Sequence, residues 1–211
     1  MYDYILFDLD GTISDSSEGI TKGIQIALRE MGIEEDRSNL GRFIGPPLSY
    51  SFPTFYGFDE EQTKKATKAY RAYYSKTGLY ENEAYPGIEE LLIRIKESGR
   101  KIAVTTSKPE TFSVDILEKF GLAKYFDIIA GATLDGTKGE KAEIVEDAIA
   151  KFGCDKSKVV LIGDTRFDAE GAAKVGIDCI GVLYGFGTRE ELEKAGAKYI
   201  AETIEDIYQY L

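Results

Sequence analysis

Histidine is absent from this 211-residue chain. A histidine-based triad, a histidine zinc site and histidine acid–base catalysis are therefore excluded. Cysteine is nearly absent: Cys154 and Cys179 stand far apart in sequence, which fits a reducing compartment with no disulfide framework. No apolar run is long enough to span a bilayer, and no basic region with an apolar signal segment precedes the first strand. A soluble cytoplasmic protein is expected. Positive charge is scarce, with 26 Lys and Arg against 37 Asp and Glu, a formal net charge of −11. That balance argues against nucleic-acid partners and anionic membranes. It leaves room for a phosphorylated substrate, because a local site can be cationic on an acidic protein. Internal repeats, low-complexity segments and long linkers are also missing. The length suits one large domain or two small ones and allows a substantial core.

What is present is organised around Tyr4-Ile5-Leu6-Phe7-Asp8-Leu9-Asp10-Gly11-Thr12. Its apolar residues do not alternate, as expected of a strand covered on both faces in a parallel sheet. Asp8 interrupts the run, and a buried carboxylate is costly unless paired, hydrogen-bonded or bound to a metal. Asp10 follows two residues on, so extended geometry puts both acids on one side of the backbone. Gly11 can then turn the chain and present backbone N–H groups to an anion. Acid-x-acid-Gly also serves as a plain strand-end turn. An EF-hand is excluded, because Thr12 and Ile13 stand where that loop needs an acid or Asn and then Gly.

After Thr12 the pattern becomes helical. Asp15, Ser16 and Ser17 offer N-caps, Ile20, Ile24, Ala27, Leu28 and Met31 share a face, and Gly32 stops the helix. Phe43 to Leu48 form a turn that opens a short helix. Asp59 starts a longer one, with the stripe Ala66, Ala69, Tyr70 and Tyr73. From about Ser14 to Glu83 no strand is predicted, so this stretch is an all-helical insertion. From Tyr85 strands and helices alternate. Strands are expected at 101–106, 126–130, 159–162, 179–182 and 199–200, with helices between them. Such alternation means an α/β fold with a mostly parallel sheet.

Ligands of such sheets bind outside the carboxyl ends of the strands. The first strand ends at Asp8, another at Thr106-Ser107-Lys108, and another at Gly163-Asp164-Thr165-Arg166-Phe167-Asp168. Asp8, Asp10 and Asp164 meeting at one edge would repel each other without a cation. Oxygen ligands alone suggest Mg²⁺, with Asp168 completing the shell. Taken in isolation, Gly163-Asp164-Thr165 more commonly makes a helix N-cap, but Asp8 and Asp10 favour the metal role for Asp164. Ser107 with Glu110 reads as a capping box, and Lys108 reads as a solvated lysine. Lys141 lies in a first helical turn, where the macrodipole disfavours a cation, so an anion or acid cluster nearby would explain it; with Lys138 it also suits a mobile basic loop. Together these parts suit phosphoryl transfer, with one carboxylate attacking phosphorus and another serving as acid and base.

In this order the motifs resemble those of the haloacid dehalogenase (HAD) superfamily, in its phosphatase branch, over the whole chain. Phe43-Ile44-Gly45-Pro46-Pro47-Leu48 and Tyr184-Gly185-Phe186-Gly187 are similar to stretches of phosphoglycolate phosphatase-like members. The resemblance implies a Rossmann-like core over residues 1–14 and 84–211, with a helical type 1 cap over residues 15–83. It implies Asp8 as nucleophile and metal ligand, and Asp10 as general acid/base with its carbonyl on Mg²⁺. It places Gly11, Thr106, Ser107 and Lys141 around the phosphoryl group, and Asp164 and Asp168 at the metal. The implied activity is Mg²⁺-dependent hydrolysis of a small phosphorylated metabolite such as phosphoglycolate, a nucleoside 5′-monophosphate or a sugar phosphate. A phosphomutase and a non-enzymatic phospho-receiver are the alternatives. Arg42, Tyr50 and Tyr56 are candidate specificity residues by their position in the cap.

Overall fold

The computed structural model describes residues 1–135 and 137–211. Strand β1 (Tyr4–Phe7) buries Ile5, Leu6 and Phe7 completely, which is why its sequence does not alternate. A short strand β2 (Ser14–Asp15) follows, then the helices α1 (Ser17–Glu30), α2 (Leu48–Tyr56) and α3 (Glu60–Tyr74). Strand β3 (Glu83–Ala84) ends this helical run by pairing antiparallel with β2, Ser14 opposite Ala84 and Asp15 opposite Glu83. The prediction of no strand between 14 and 83 therefore needs correction at both ends. A two-residue pair is too short for any periodicity to reveal it.

Beyond β3 the chain alternates as expected. Helix α4 (Ile88–Glu97) is followed by β4 (Lys101–Pro109), α5 (Glu110–Lys119), β5 (Ile128–Ala132) and α6 (Lys141–Phe152). Then come β6 (Val159–Gly163), α7 (Arg166–Val175), β7 (Asp178–Val182), α8 (Arg189–Lys194), β8 (Tyr199–Ala201) and α9 (Ile204–Ile207). Six strands form one parallel sheet in the order β5-β4-β1-β6-β7-β8. The fold is thus α/β with a Rossmann-like parallel sheet flanked by helices. The chain builds outward from β1 first to one side and then to the other. Its switch point, where open α/β sheets bind ligands, lies at the end of β1.

Alternate residues of the central strands feed two cores. Ile5, Phe7, Val104 and Ile162 pack on one face with α1, α3 and α4. Leu6, Ala103 and Leu161 pack on the other, against Ile144, Val145 and Ala148 of α6 and Ala169 and Ala172 of α7. Helix α3 buries Ala66, Ala69 and Tyr70 as predicted, but its last buried ring is Tyr74. Tyr73 is half-buried, and its hydroxyl donates to Glu81 at 2.6 Å. Strand β4 runs three residues past its predicted end, with a register irregularity against β5 between Thr106 and Pro109. Among the described residues no helix is long and apolar enough to cross a membrane.

Candidate active site

Asp8 leaves β1 in the middle of the sheet, its N–H donating to Ile162 O at 2.9 Å. The chain then folds tightly: Ile13 N and Ser14 N both donate to Leu9 O, and Gly11 N donates to Ser14 O at 2.8 Å. Gly11 holds φ at +86°, and a Cβ there would overlap the Asp164 carboxylate. The position thus needs glycine twice over, for conformation and for room.

Asp164 leaves the end of β6, next to β1. The N-cap of α7 is Thr165, not Asp164. Asp164 is fully buried; Thr12 Oγ1 donates to its Oδ1 at 3.2 Å and Phe186 N to its Oδ2 at 2.8 Å. Asp168 divides its two oxygens. Oδ2 accepts from Thr165 N and Thr165 Oγ1, closing a capping box. Oδ1 meets Lys141 Nζ at 2.7 Å. One oxygen each from Asp8, Asp164 and Asp168 falls within a 4.8 Å group.

Lys141 opens α6 and is buried among these acids. Its Nζ lies 2.7 Å from Asp8 Oδ1 and 2.7 Å from Asp168 Oδ1, and donates to Thr105 O at 2.9 Å. All three of its donors are therefore used. Burial pulls its pKa down, but Asp168 and Asp8 outweigh this and hold it above the ordinary lysine value. Here the acid cluster that the macrodipole argument calls for is in place. A contact from Lys141 to a phosphoryl group requires release of one present partner. Burial pushes Asp8 up to about 6, against the pull of Lys141 and with the push of Asp168. Asp164 is driven well above the usual carboxylate range by burial, then by Asp168 and Asp8.

The Asp10 side chain stands outside the three-acid group. Its Oδ2 lies 2.9 Å from Lys108 Nζ, and its buried Oδ1 has no hydrogen-bond partner among the described residues. The reading of Lys108 as a solvated lysine is wrong: it is only 8% exposed, and its Nζ donates to the Tyr74 hydroxyl at 2.7 Å. No local signal carried this, because strand β4 changes register against β5 between Thr106 and Pro109. The capping box expected of Ser107 and Glu110 is absent too, because β4 continues to Pro109, which is the N-cap of α5. Buried Thr106 accepts at Oγ1 from Lys108 N at 3.3 Å.

A cavity of about 680 Å³ opens above these residues. Asp10, Ser107 and Lys108 line it from the sheet, and Thr67, Tyr70 and Arg71 of α3 line it from the opposite side. The positional guesses for specificity lie elsewhere. Arg42 sits over the Phe55 ring at 4.7 Å, Tyr56 donates to Glu35, and Tyr50 accepts from Arg166 Nη2 at 2.9 Å.

Strand-end acids, a buried lysine and a helical run after the first motif have a counterpart among known proteins. The profile described as haloacid dehalogenase-like hydrolase matches residues 5–182. The chain belongs to this family. A 5′-nucleotidase of Pseudomonas aeruginosa is 44% identical over 90% of this chain and 87% of its own length. The tyrosine-protein kinase PtkA of Mycobacterium tuberculosis is 34% identical over 98% of this chain and 72% of its own. Among solved structures, a predicted phosphatase from Clostridium acetobutylicum shares 44% identity, covers 100% of this chain and 98% of its own, and superposes with a TM-score of 0.97. As a family member with phosphatase relatives the chain is a phosphoric monoester hydrolase.

Proposed function

We propose that the protein is a Mg²⁺-dependent phosphatase of small phosphorylated metabolites, with nucleoside 5′-monophosphates as the leading class, acting through an aspartyl-phosphate on Asp8. One observation carries the metal. Three aspartates from β1, the end of β6 and α7 converge in a buried site, and among them lies the single ammonium of Lys141. Lys141 bridges Asp8 and Asp168, and among the described residues no lysine or arginine pairs with Asp164, so its ionised form is costly without a cation and a bound one would remove that cost. An all-oxygen donor set fits Mg²⁺. Asp8, Asp164 and Asp168 would hold it, with the carbonyl of Asp10. When bound it would shield the phosphoryl charge from the attacking carboxylate.

The chain's own residues then divide the work. A carboxylate oxygen of Asp8 forms a bond to phosphorus while the ester P–O bond breaks and its electron pair stays on the leaving oxygen. Asp10 gives that oxygen a proton. In the second half Asp10 takes a proton from water, whose oxygen bonds to phosphorus as the Asp8–phosphorus bond breaks. Thr106 and Ser107 hold the phosphoryl oxygens and Lys141 keeps the acids in register, while Gly11, whose N–H donates to Ser14 O and not outward to an anion as expected, shapes the turn.

The substrate class is supported by size and lining. About 680 Å³ far exceeds what a two-carbon acid needs, and the aromatic residues Phe43, Tyr70 and Phe112 are among its lining. The 5′-nucleotidase relative points the same way. Residues 15–83 are proposed as a cap that supplies this lining, and the remaining residues as the catalytic core.

The test is phosphate release from a panel of phosphorylated metabolites, with Mg²⁺ and with chelator, for the wild type and Asp8→Asn. Release that needs Mg²⁺, is fastest on a nucleoside 5′-monophosphate and falls at least ~10³-fold in Asp8→Asn is expected. A folded wild type that releases no phosphate from any ester would overturn the reading. Isomerised phosphate would then indicate a mutase, and stable phosphate on Asp8 a receiver.

A further inference from the structure

Lys108 and Tyr74 have no role in the function proposed above, yet they form a buried polar contact between α3 and the sheet. The register irregularity of β4 between Thr106 and Pro109 accounts for where Lys108 points, since bulges re-aim a side chain and gather beside active sites. Its ammonium reaches Asp10 Oδ2 at 2.9 Å and the Tyr74 hydroxyl at 2.7 Å, and sits 4.6 Å from the centre of the Tyr74 ring. Tyr74 is held in turn by Tyr70, stacked at 5.1 Å, and by Phe112 at 6.0 Å. Asp10, Lys108 and Tyr74 all border the cavity.

We infer that Lys108 and Tyr74 are positioning residues for Asp10, fixing the orientation of its carboxyl group and tying that orientation to helix α3. An ammonium has three donors and no acceptor, so the oxygen it holds stays an acceptor. The proton that Asp10 passes to the leaving oxygen then belongs on Oδ1, which is buried here with no partner among the described residues, so the carboxyl must turn to present it. Tyr74 holds the other side of the ammonium. A displacement of α3 would take the tyrosine with it and release the lysine from its aspartate-facing position. In this way the helix that lines the cavity also sets the acid. The inference rests on the proposed role of Asp10.

Leaving-group dependence tests it. Adenosine 5′-monophosphate has a poor leaving alcohol that needs the proton, whereas p-nitrophenyl phosphate releases a stable phenolate that does not. In Lys108→Met, kcat/KM on adenosine 5′-monophosphate should fall about 10²-fold, and on p-nitrophenyl phosphate less than about tenfold; kcat/KM is the readout because it ends at the aspartyl-phosphate and leaves out the water step, in which Asp10 serves both esters alike. Tyr74→Phe keeps the ring and should show the same bias at several-fold. Equal losses on the two esters would overturn the inference, because a merely structural role does not distinguish leaving groups. If Lys108→Met fails to fold, Tyr74→Phe decides by the same comparison, and an unbiased Tyr74→Phe overturns it. A wild type inactive on both esters would instead overturn the proposed function, and this inference with it.

Discussion

Lys141 and Lys108 are both buried against aspartates, and each is held by geometry that a neighbour supplies. Lys141 is fixed by the start of α6, and Lys108 by the irregular end of β4. The other single-residue constraint is Gly11, whose φ of +86° costs a side-chain-bearing residue about 1–3 kcal/mol. In Gly11→Ala the new methyl would also displace Asp164 from between Thr12 and Phe186 N. Gly32 separates the two effects, because its φ is +79° and nothing lies within 4 Å of an added Cβ. Gly32→Ala should lose about 1 kcal/mol of stability and keep its turnover. Gly11→Ala should lose turnover by at least ~10²-fold together with affinity for the divalent cation, read by the Mg²⁺ dependence of phosphate release. Equal activity in the two variants would remove Gly11 from the site.

At the scale of elements, the cap proposal turns on two chain crossings, β2 and β3, joined by a two-residue antiparallel pair and by Tyr85 N donating to Ile13 O at 3.0 Å. Across the cavity, the rim contacts between the helical run and the remaining residues include two exposed hydrogen bonds. Arg71 Nη1 donates to Leu134 O at 2.6 Å, and Arg166 Nη2 to the Tyr50 hydroxyl at 2.9 Å. Contacts of this kind exchange readily with water, so hinge motion at β2 and β3 is expected. Spin labels on exposed Lys65 of α3 and exposed Glu193 of α8 should report a narrower distance distribution when a phosphate analogue and Mg²⁺ are added. An unchanged distribution would argue against a mobile cap. The elements themselves were largely legible in sequence, because the apolar runs of β1 and β6 and the glycine stops of α1 and α7 are local signals. Convergence of Asp8 and Asp164 was legible through the rule that parallel strands deliver ligands at one edge, and the place of Lys141 through the macrodipole cost of a cation in a first helical turn. The burial of Lys108 was not. It depends on a register slip in β4 and on Tyr74 arriving from another element, and neither has a local signature. The Ser107 capping box failed for the same reason, since the strand continued through the residues that would have made the cap.

For the whole molecule, the buried acids and the net charge of −11 act in the same direction. Asp8 is pushed up to about 6 by burial and Asp164 is raised as well, so between the ordinary carboxylate pKa and about 6 the folded, metal-free protein binds more protons than the unfolded chain. Stability then falls as pH rises through that window. The metal-free protein should melt a few degrees higher near pH 5 than near pH 7, equivalent to of order 1–3 kcal/mol for these groups. Relief of self-repulsion in an acidic chain adds to the trend. Asp164→Asn distinguishes the two sources, because it removes one raised group and changes the net charge by only one. It should flatten the pH dependence markedly and raise the metal-free melting temperature near pH 7. Mg²⁺ should reverse the slope in the wild type, since binding requires ionised ligands and stabilises only the folded state. Thermal melts across pH, with chelator and with Mg²⁺, measure all three effects. A metal-free melting temperature that climbs towards pH 7, or one indifferent to Mg²⁺ at that pH, would mean that the three aspartates are satisfied by Lys141 alone and that no cation belongs among them.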